Sequence, residues 1–177
     1  MAEDRAALDI VHLVADHHQV VYRYAYRLTG STADAEDLTQ QVFLQAQEKL
    51  GQLRQAESAR SWLLAIARNQ FLHDCDKRKP LLAGDLHSEA QRVSIADEAI
   101  DREALQAALN ELPPHYRLVV TMFYFDDCPY REIAEQLDIP IGTVMSRLAR
   151  AKEHLRARLL EPDAATSAPT DAASQRG

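Results

Sequence analysis

Cysteine, glycine and proline are scarce in this 177-residue chain, and long apolar runs are absent. The two cysteines, Cys75 and Cys128, stand far apart and form no CxxC pair. A disulfide scaffold is therefore not expected, and a reducing cytoplasm is the default compartment. A membrane helix needs about 18 consecutive apolar residues, and no such run exists, so no membrane insertion is expected. The N-terminal Met-Ala-Glu-Asp-Arg has no apolar stretch behind it, so no secretory signal is expected either. The balance of 46% hydrophobic and 27% charged residues belongs to a folded protein rather than a disordered one.

The breaks outline the elements. Proline is missing before Pro80, and glycine occurs only at positions 30, 51, 84, 142 and 177. Between them apolar residues recur at helical spacing. Leu38, Val42, Phe43, Ala46 and Leu50 form one stripe, and Leu63, Ile66, Ala67 and Phe71 form another. Leu105, Ala108, Leu109 and Leu112 form a third, stopped by Pro113-Pro114. Sustained apolar–polar alternation is absent. The expected fold is all-α: two small helical domains, residues 6–80 and 101–160, joined by a flexible acidic linker at 81–100. The Ala-, Ser-, Thr- and Pro-rich residues 161–177 are expected to form a disordered tail.

The net charge of -7 hides a strong asymmetry. Residues 81–112 carry two basic and seven acidic groups, whereas residues 139–160 carry five basic and one acidic. Basic groups also gather between Arg68 and Lys79. Clustered Lys and Arg on helices mark nucleic-acid binding; a solvated helix face is the alternative.

Residues 130–159 have the pattern of a helix-turn-helix. Ile133, Ala134 and Leu137 line a short helix, and a tight turn follows at Asp138–Gly142. Val144, Leu148, Ala151, Leu155 and Leu159 then form one face of a longer helix. The opposite face is expected to present Thr143, Arg147, Arg150 and His154 to a DNA major groove. The alternative is a helical hairpin that merely packs. Upstream, residues 58–80 combine Trp62 with a terminal basic cluster. This pairing suits unpaired bases and backbone, although a lone tryptophan more often belongs to a core.

Catalytic patterns are missing. The sequence holds no HExxH, no phosphate-binding glycine loop and no Gly-x-Ser-x-Gly. The adjacent His17 and His18 point about 100° apart on a helix and cannot share a metal. Asp34, Glu36 and Asp37 suit a helix start, where the helix dipole stabilises carboxylates. An enzyme, a metal site and a cofactor are not expected.

Four segments together resemble the extracytoplasmic-function (ECF) group of bacterial sigma-70 factors. They are Asp34-Ala-Glu-Asp-Leu-Thr-Gln-Gln-Val-Phe, Ser61-Trp-Leu-Leu-Ala-Ile-Ala-Arg-Asn, Leu112-Pro-Pro-His-Tyr-Arg and Gly142-Thr-Val-Met-Ser-Arg-Leu-Ala-Arg-Ala. Their order and spacing match as well, over roughly residues 8–160. The resemblance implies a sigma-2 domain, a linker running through the RNA exit path, and a sigma-4 domain. It implies that Asp37, Gln40, Gln41 and Phe43 dock on the β′ clamp helices of core RNA polymerase, with the β flap as a second contact. Promoter DNA would be opened and read at the -10 element by Arg60, Trp62, Arg68, Asn69, His73, Lys77, Arg78 and Lys79. The -35 element would be read by Thr143, Ser146, Arg147, Arg150 and Lys152. An anti-sigma factor is a further candidate partner. Gln41 stands where many relatives carry an acid. Met145 stands where a lysine or polar residue is common, which implies a less polar -35 readout there. His73-Asp74-Cys75-Asp76 replaces a more usual Tyr- or Leu-containing stretch. The competing reading is an autonomous helix-turn-helix regulator, which would bind its operator without polymerase.

Overall fold

A computed structural model describes residues 9–77 and 102–160. The segment 81–100 and the tail 161–177 lie outside the described residues, as do Arg78 and Lys79. Seven helices and two short 3-10 turns make up the described chain, with no strand among its residues. The all-α expectation holds.

Three long helices form the first group: α1 (Ile10–Thr29), α2 (Thr32–Glu48) and α3 (Ala59–Lys77). Each packs on the other two. Gly30 ends α1 in the left-handed conformation, with its N–H donating to the Tyr26 carbonyl at 2.8 Å. Only glycine takes that conformation readily. One residue later Ser31 caps α2, accepting from the Asp34 N–H. The turn between α1 and α2 therefore follows from a C-cap glycine and an N-cap serine. The stripes read from the sequence point inward: Leu38, Val42, Phe43 and Ala46 on α2, and Leu63, Ile66, Ala67 and Phe71 on α3, are all buried.

The second group comprises α4 (Arg102–Glu111), α5 (Pro114–Phe125), α6 (Tyr130–Leu137) and α7 (Ile141–Leu160). Pro114 opens α5 at a position where the missing N–H is not needed. The turn after α6 is made by Asp138 in the left-handed region (φ 51°) and by the Ile139 N–H donating to the Ala134 carbonyl. Pro140 then accepts from the Thr143 and Val144 N–H groups to start α7. Val144, Leu148, Ala151 and Leu155 bury one face of α7 against α4, α5 and α6.

The two groups meet. One contiguous apolar core includes residues of both, with α4 and α5 packed on α1 and α5 on α3. Arg117 of α5 is buried and donates to the carbonyls of Leu28, Asn110 and Leu112 at 2.8, 2.8 and 3.1 Å. Arg27 lays its guanidinium 3.8 Å from the centre of the Phe125 ring. The Asn110 side chain sits against Gly30 so closely that any Cβ there would collide with it.

Candidate nucleic-acid interface

The exposed side of α3 borders a cavity of about 790 Å³. One wall is Arg54, Arg60, Trp62 and Asn69; the other is Asp126, Cys128, Glu132 and Gln136 from the second group. Trp62 is half-buried and packs on the small cluster of Leu13, Leu53 and Ala59 as well as on the main core. It is thus partly a core residue, with an edge on the cavity. Arg60, Asn69, His73 and Lys77 are exposed along α3.

Arg68 behaves differently. It is 4% exposed. One guanidinium nitrogen donates to Asp126 Oδ2 at 2.8 Å, and the other donates to Gln136 Oε1. Arg60 approaches the same carboxylate at 3.5 Å. Burial pushes the Asp126 carboxyl upward, against the pull of both arginines. In this arrangement side chains of the second group of helices take up the Arg68 charge.

On α7 the structure divides the expected groups. Ser146 is exposed, its hydroxyl donating to the Thr143 carbonyl at 3.0 Å. Thr143 and Arg147 are half-buried. Arg150 donates to the Tyr116 hydroxyl at 3.1 Å, and His154 Nε2 lies 3.3 Å from Glu111 Oε2, while Arg158 donates to Oε1 of the same carboxylate. Lys152 sits over the Phe123 and Tyr124 rings at 5.8 and 5.5 Å. The stripe Thr143–Arg147–Arg150–His154 is therefore not opposite the buried face. At about 100° per residue it lies roughly a quarter-turn away, along a flank. Its C-terminal half leans on α4 and α5. In the first turns Ile141, Gly142, Met145 and Ser146 are all exposed, with Gly142 and Ser146 opposite the buried face and Ile141 and Met145 along its other flank.

On α2, Asp37 and Gln40 face outward, and Gln41 is half-buried with its Oε1 enclosed and lacking a hydrogen-bond partner. Phe43 does not share that face. It is 8% exposed and stacks on His18, 6.1 Å between ring centres, so its expected docking role gives way to a core role. Leu44 takes its place on the surface at 61% exposure, one turn after Gln40. A second cavity, about 420 Å³, lies between Asp37 and Gln41 on α2, Asp74 on α3, and Pro114 and His115 at the start of α5.

Residues 13–80 match the family model described as Sigma-70 region 2, and residues 102–155 match Sigma-70, region 4. The ECF RNA polymerase sigma factor SigW of Bacillus subtilis is 30% identical over 87% of this chain and 89% of its own length. SigL of Mycobacterium tuberculosis is 35% identical over 84% of this chain and 88% of its own. The chain belongs to the ECF sigma factors. SigE of Mycolicibacterium smegmatis is 36% identical over 88% of this chain, which spans 63% of that longer protein. The sigma factor RpoE of Bartonella quintana, solved with the anti-sigma factor NepR, has the same fold, with a TM-score of 0.60 at 22% identity. That likeness covers 82% of this chain and 93% of RpoE.

In this ECF sigma factor, α1–α3 are the region 2 helices and α4–α7 those of region 4. The residues not singled out in the sequence are Leu44, Ile141 and Asp126. The first two carry a signal that could have been used, since each lies outside its helix's apolar stripe. Asp126 carries none, because its importance comes from a partner 58 positions away.

Proposed function

We propose that this chain is a promoter-selecting subunit, binding core RNA polymerase through the outer face of α2 and directing initiation at promoters through α3 and α7. The observation that supports it most is the pairing of an aromatic and basic cavity along α3 with an exposed helix-turn-helix edge on α7, in the order of regions 2 and 4. In this reading Asp37, Gln40, Gln41 and Leu44 meet the polymerase. Arg60, Trp62, Asn69, His73 and Lys77 meet the opened -10 strand, and Arg68 joins them once it leaves Asp126. Thr143, Ser146 and Arg147 meet the -35 duplex, with Arg150 and Lys152 at its margin. The residues supply positioning and charge, with no chemical step of their own. No described helix is long and apolar enough to cross a membrane, and a cytoplasmic site of action fits a polymerase partner. An anti-sigma factor is proposed as a regulator.

The test is transcription in vitro with core polymerase on a pool of promoters, with sequencing of the transcript starts. Discrete starts preceded by shared -10 and -35 sequences are expected. Starts no different from those of core alone, together with tight operator binding by the isolated chain, would support the autonomous regulator instead.

The closed arrangement has its own test. Cys128 is buried beside the cavity, and burial, together with the Asp126 charge, pushes its thiol up to about 11. Thiolate is the reactive form, so alkylation at pH 8 should run about 100-fold slower than for an ordinary thiol. It should accelerate when the burial around the thiol is lost. Equal rates in folded and urea-unfolded chains, read by mass spectrometry of the Cys128 peptide, would refute the buried placement.

A further inference from the structure

Six large apolar side chains are well exposed among the described residues, and two of them, Ile141 (49%) and Met145 (46%), stand one turn apart at the start of α7. Positions four apart share a helix face. Gly142 lies beside them with a backbone outside the left-handed region and open space where a Cβ would go. An alanine there would fit and would favour the helix by about 1 kcal/mol. Neither chain packing nor backbone conformation therefore explains the glycine, whereas close approach of an external surface does. The exposed hydroxyl of Ser146 borders the same edge.

These residues form the N-terminal part of the second helix of a helix-turn-helix, the part that reaches base edges when such a helix enters the major groove. The apolar feature of that groove is the 5-methyl group of thymine. Solvation alone would not place a methionine and an isoleucine at this edge, but a row of methyl groups gives both an apolar partner.

We propose that Ile141 and Met145, beside Gly142, form an apolar reading edge that selects thymine 5-methyl groups in the -35 element. This inference rests on the proposed reading of the -35 duplex by α7 and adds the chemistry by which part of it is read. The edge discriminates at A·T pairs, where only one strand offers the methyl. Gly142 lets the helix backbone approach the groove closely enough for two side chains of moderate length to touch it.

Deoxyuridine differs from thymidine only by that methyl. The experiment uses the full chain bound to core polymerase and a -35 sequence obtained from the promoter pool. Each -35 thymine on either strand is replaced in turn by deoxyuridine, and complex formation is measured by competition. At one or two adjacent thymines the wild type should bind about fourfold more weakly, the effect of one lost buried methyl. Met145→Ala should bind the thymine template more weakly and no longer distinguish it from the deoxyuridine template. Ile141→Ala should do the same at the neighbouring position. Deoxyuridine in the spacer should have no effect. Two results overturn the inference: equal binding of all templates by the wild type, or undiminished discrimination by both variants. If the variants instead lose polymerase affinity without DNA, the edge faces protein and the inference also fails. If randomising the whole -35 element leaves wild-type binding unchanged, the broader -35 reading fails with it. If that randomisation matters while deoxyuridine does not, only the methyl reading falls.

Discussion

Replacing Asp126 with alanine is expected to raise the affinity of the free chain for single-stranded -10 DNA by about 10- to 100-fold. In the closed arrangement Arg68 and Asp126 are both almost wholly enclosed, with side chains 5% and 6% exposed. Removing one partner of such a pair leaves a buried charge unmatched, a penalty of about 3–5 kcal/mol. The two groups of helices can escape that penalty by separating, so the loss should appear as opening rather than unfolding. An opened chain presents Arg68 to phosphate, and apparent affinity rises with the fraction of molecules that are competent to bind. Fluorescence anisotropy with a labelled -10 strand reads the affinity. Energy transfer between dyes at Glu48 and Glu153 reads the opening. A useful companion is the double change Arg68→Met with Asp126→Leu. Exchanging both members of a buried ion pair for apolar residues is often near neutral, so this variant should stay closed and bind DNA poorly. If Asp126→Ala leaves both distance and affinity unchanged, the ion pair does not hold the two groups together.

Arg117→Ala should produce the largest loss of stability, about 3 kcal/mol or more. The guanidinium serves three carbonyls, two around the C-terminal end of α4 and one at the end of α1. Helix C-termini leave carbonyls without intrahelical donors, and each buried acceptor left unsatisfied costs about 1–3 kcal/mol. Burial also lowers the Arg117 pKa, a sign that the protein holds this charge without an acidic neighbour strong enough to offset desolvation. Lysine at 117 would keep a charge but lose the planar fork, so Arg117→Lys should recover only part of the stability. Urea unfolding followed by circular dichroism measures both variants. A loss below about 1 kcal/mol for Arg117→Ala would show that water replaces the guanidinium without penalty.

These two arginines mark the boundary of what the sequence made legible. The stripes Leu63–Ile66–Ala67–Phe71 and Val144–Leu148–Ala151–Leu155 could be read directly, because helical periodicity is a local property. The turn at Asp138–Gly142 was legible for the same reason. Arg117 was visible only as the last letter of a family-like segment; its carbonyl partner on α1 lies 89 positions earlier. In the sequence Arg68 stands as one of a basic cluster, because arginine is ordinarily solvated, and nothing near it in the chain hints at Asp126. On α7 the basic residues lie along one flank of the buried face, and the exposed Ile141 and Met145 lie along the other. Phe43 shows the converse: it belonged both to an apolar stripe and to a family-like segment, and the stripe decided its place.

At Gly30 the two halves of the molecule are separated by less than the width of a methyl group. A substitution there inserts a shim: Gly30→Ala would push the exposed Asn110 side chain aside and break its contact between region 2 and region 4, while also straining the left-handed end of α1. Trimming the opposing side chain with Asn110→Gly would relieve the first effect and leave the second. Two helix groups that are joined through a segment of more than twenty residues thus touch at a point where one added carbon atom would not fit without rearrangement.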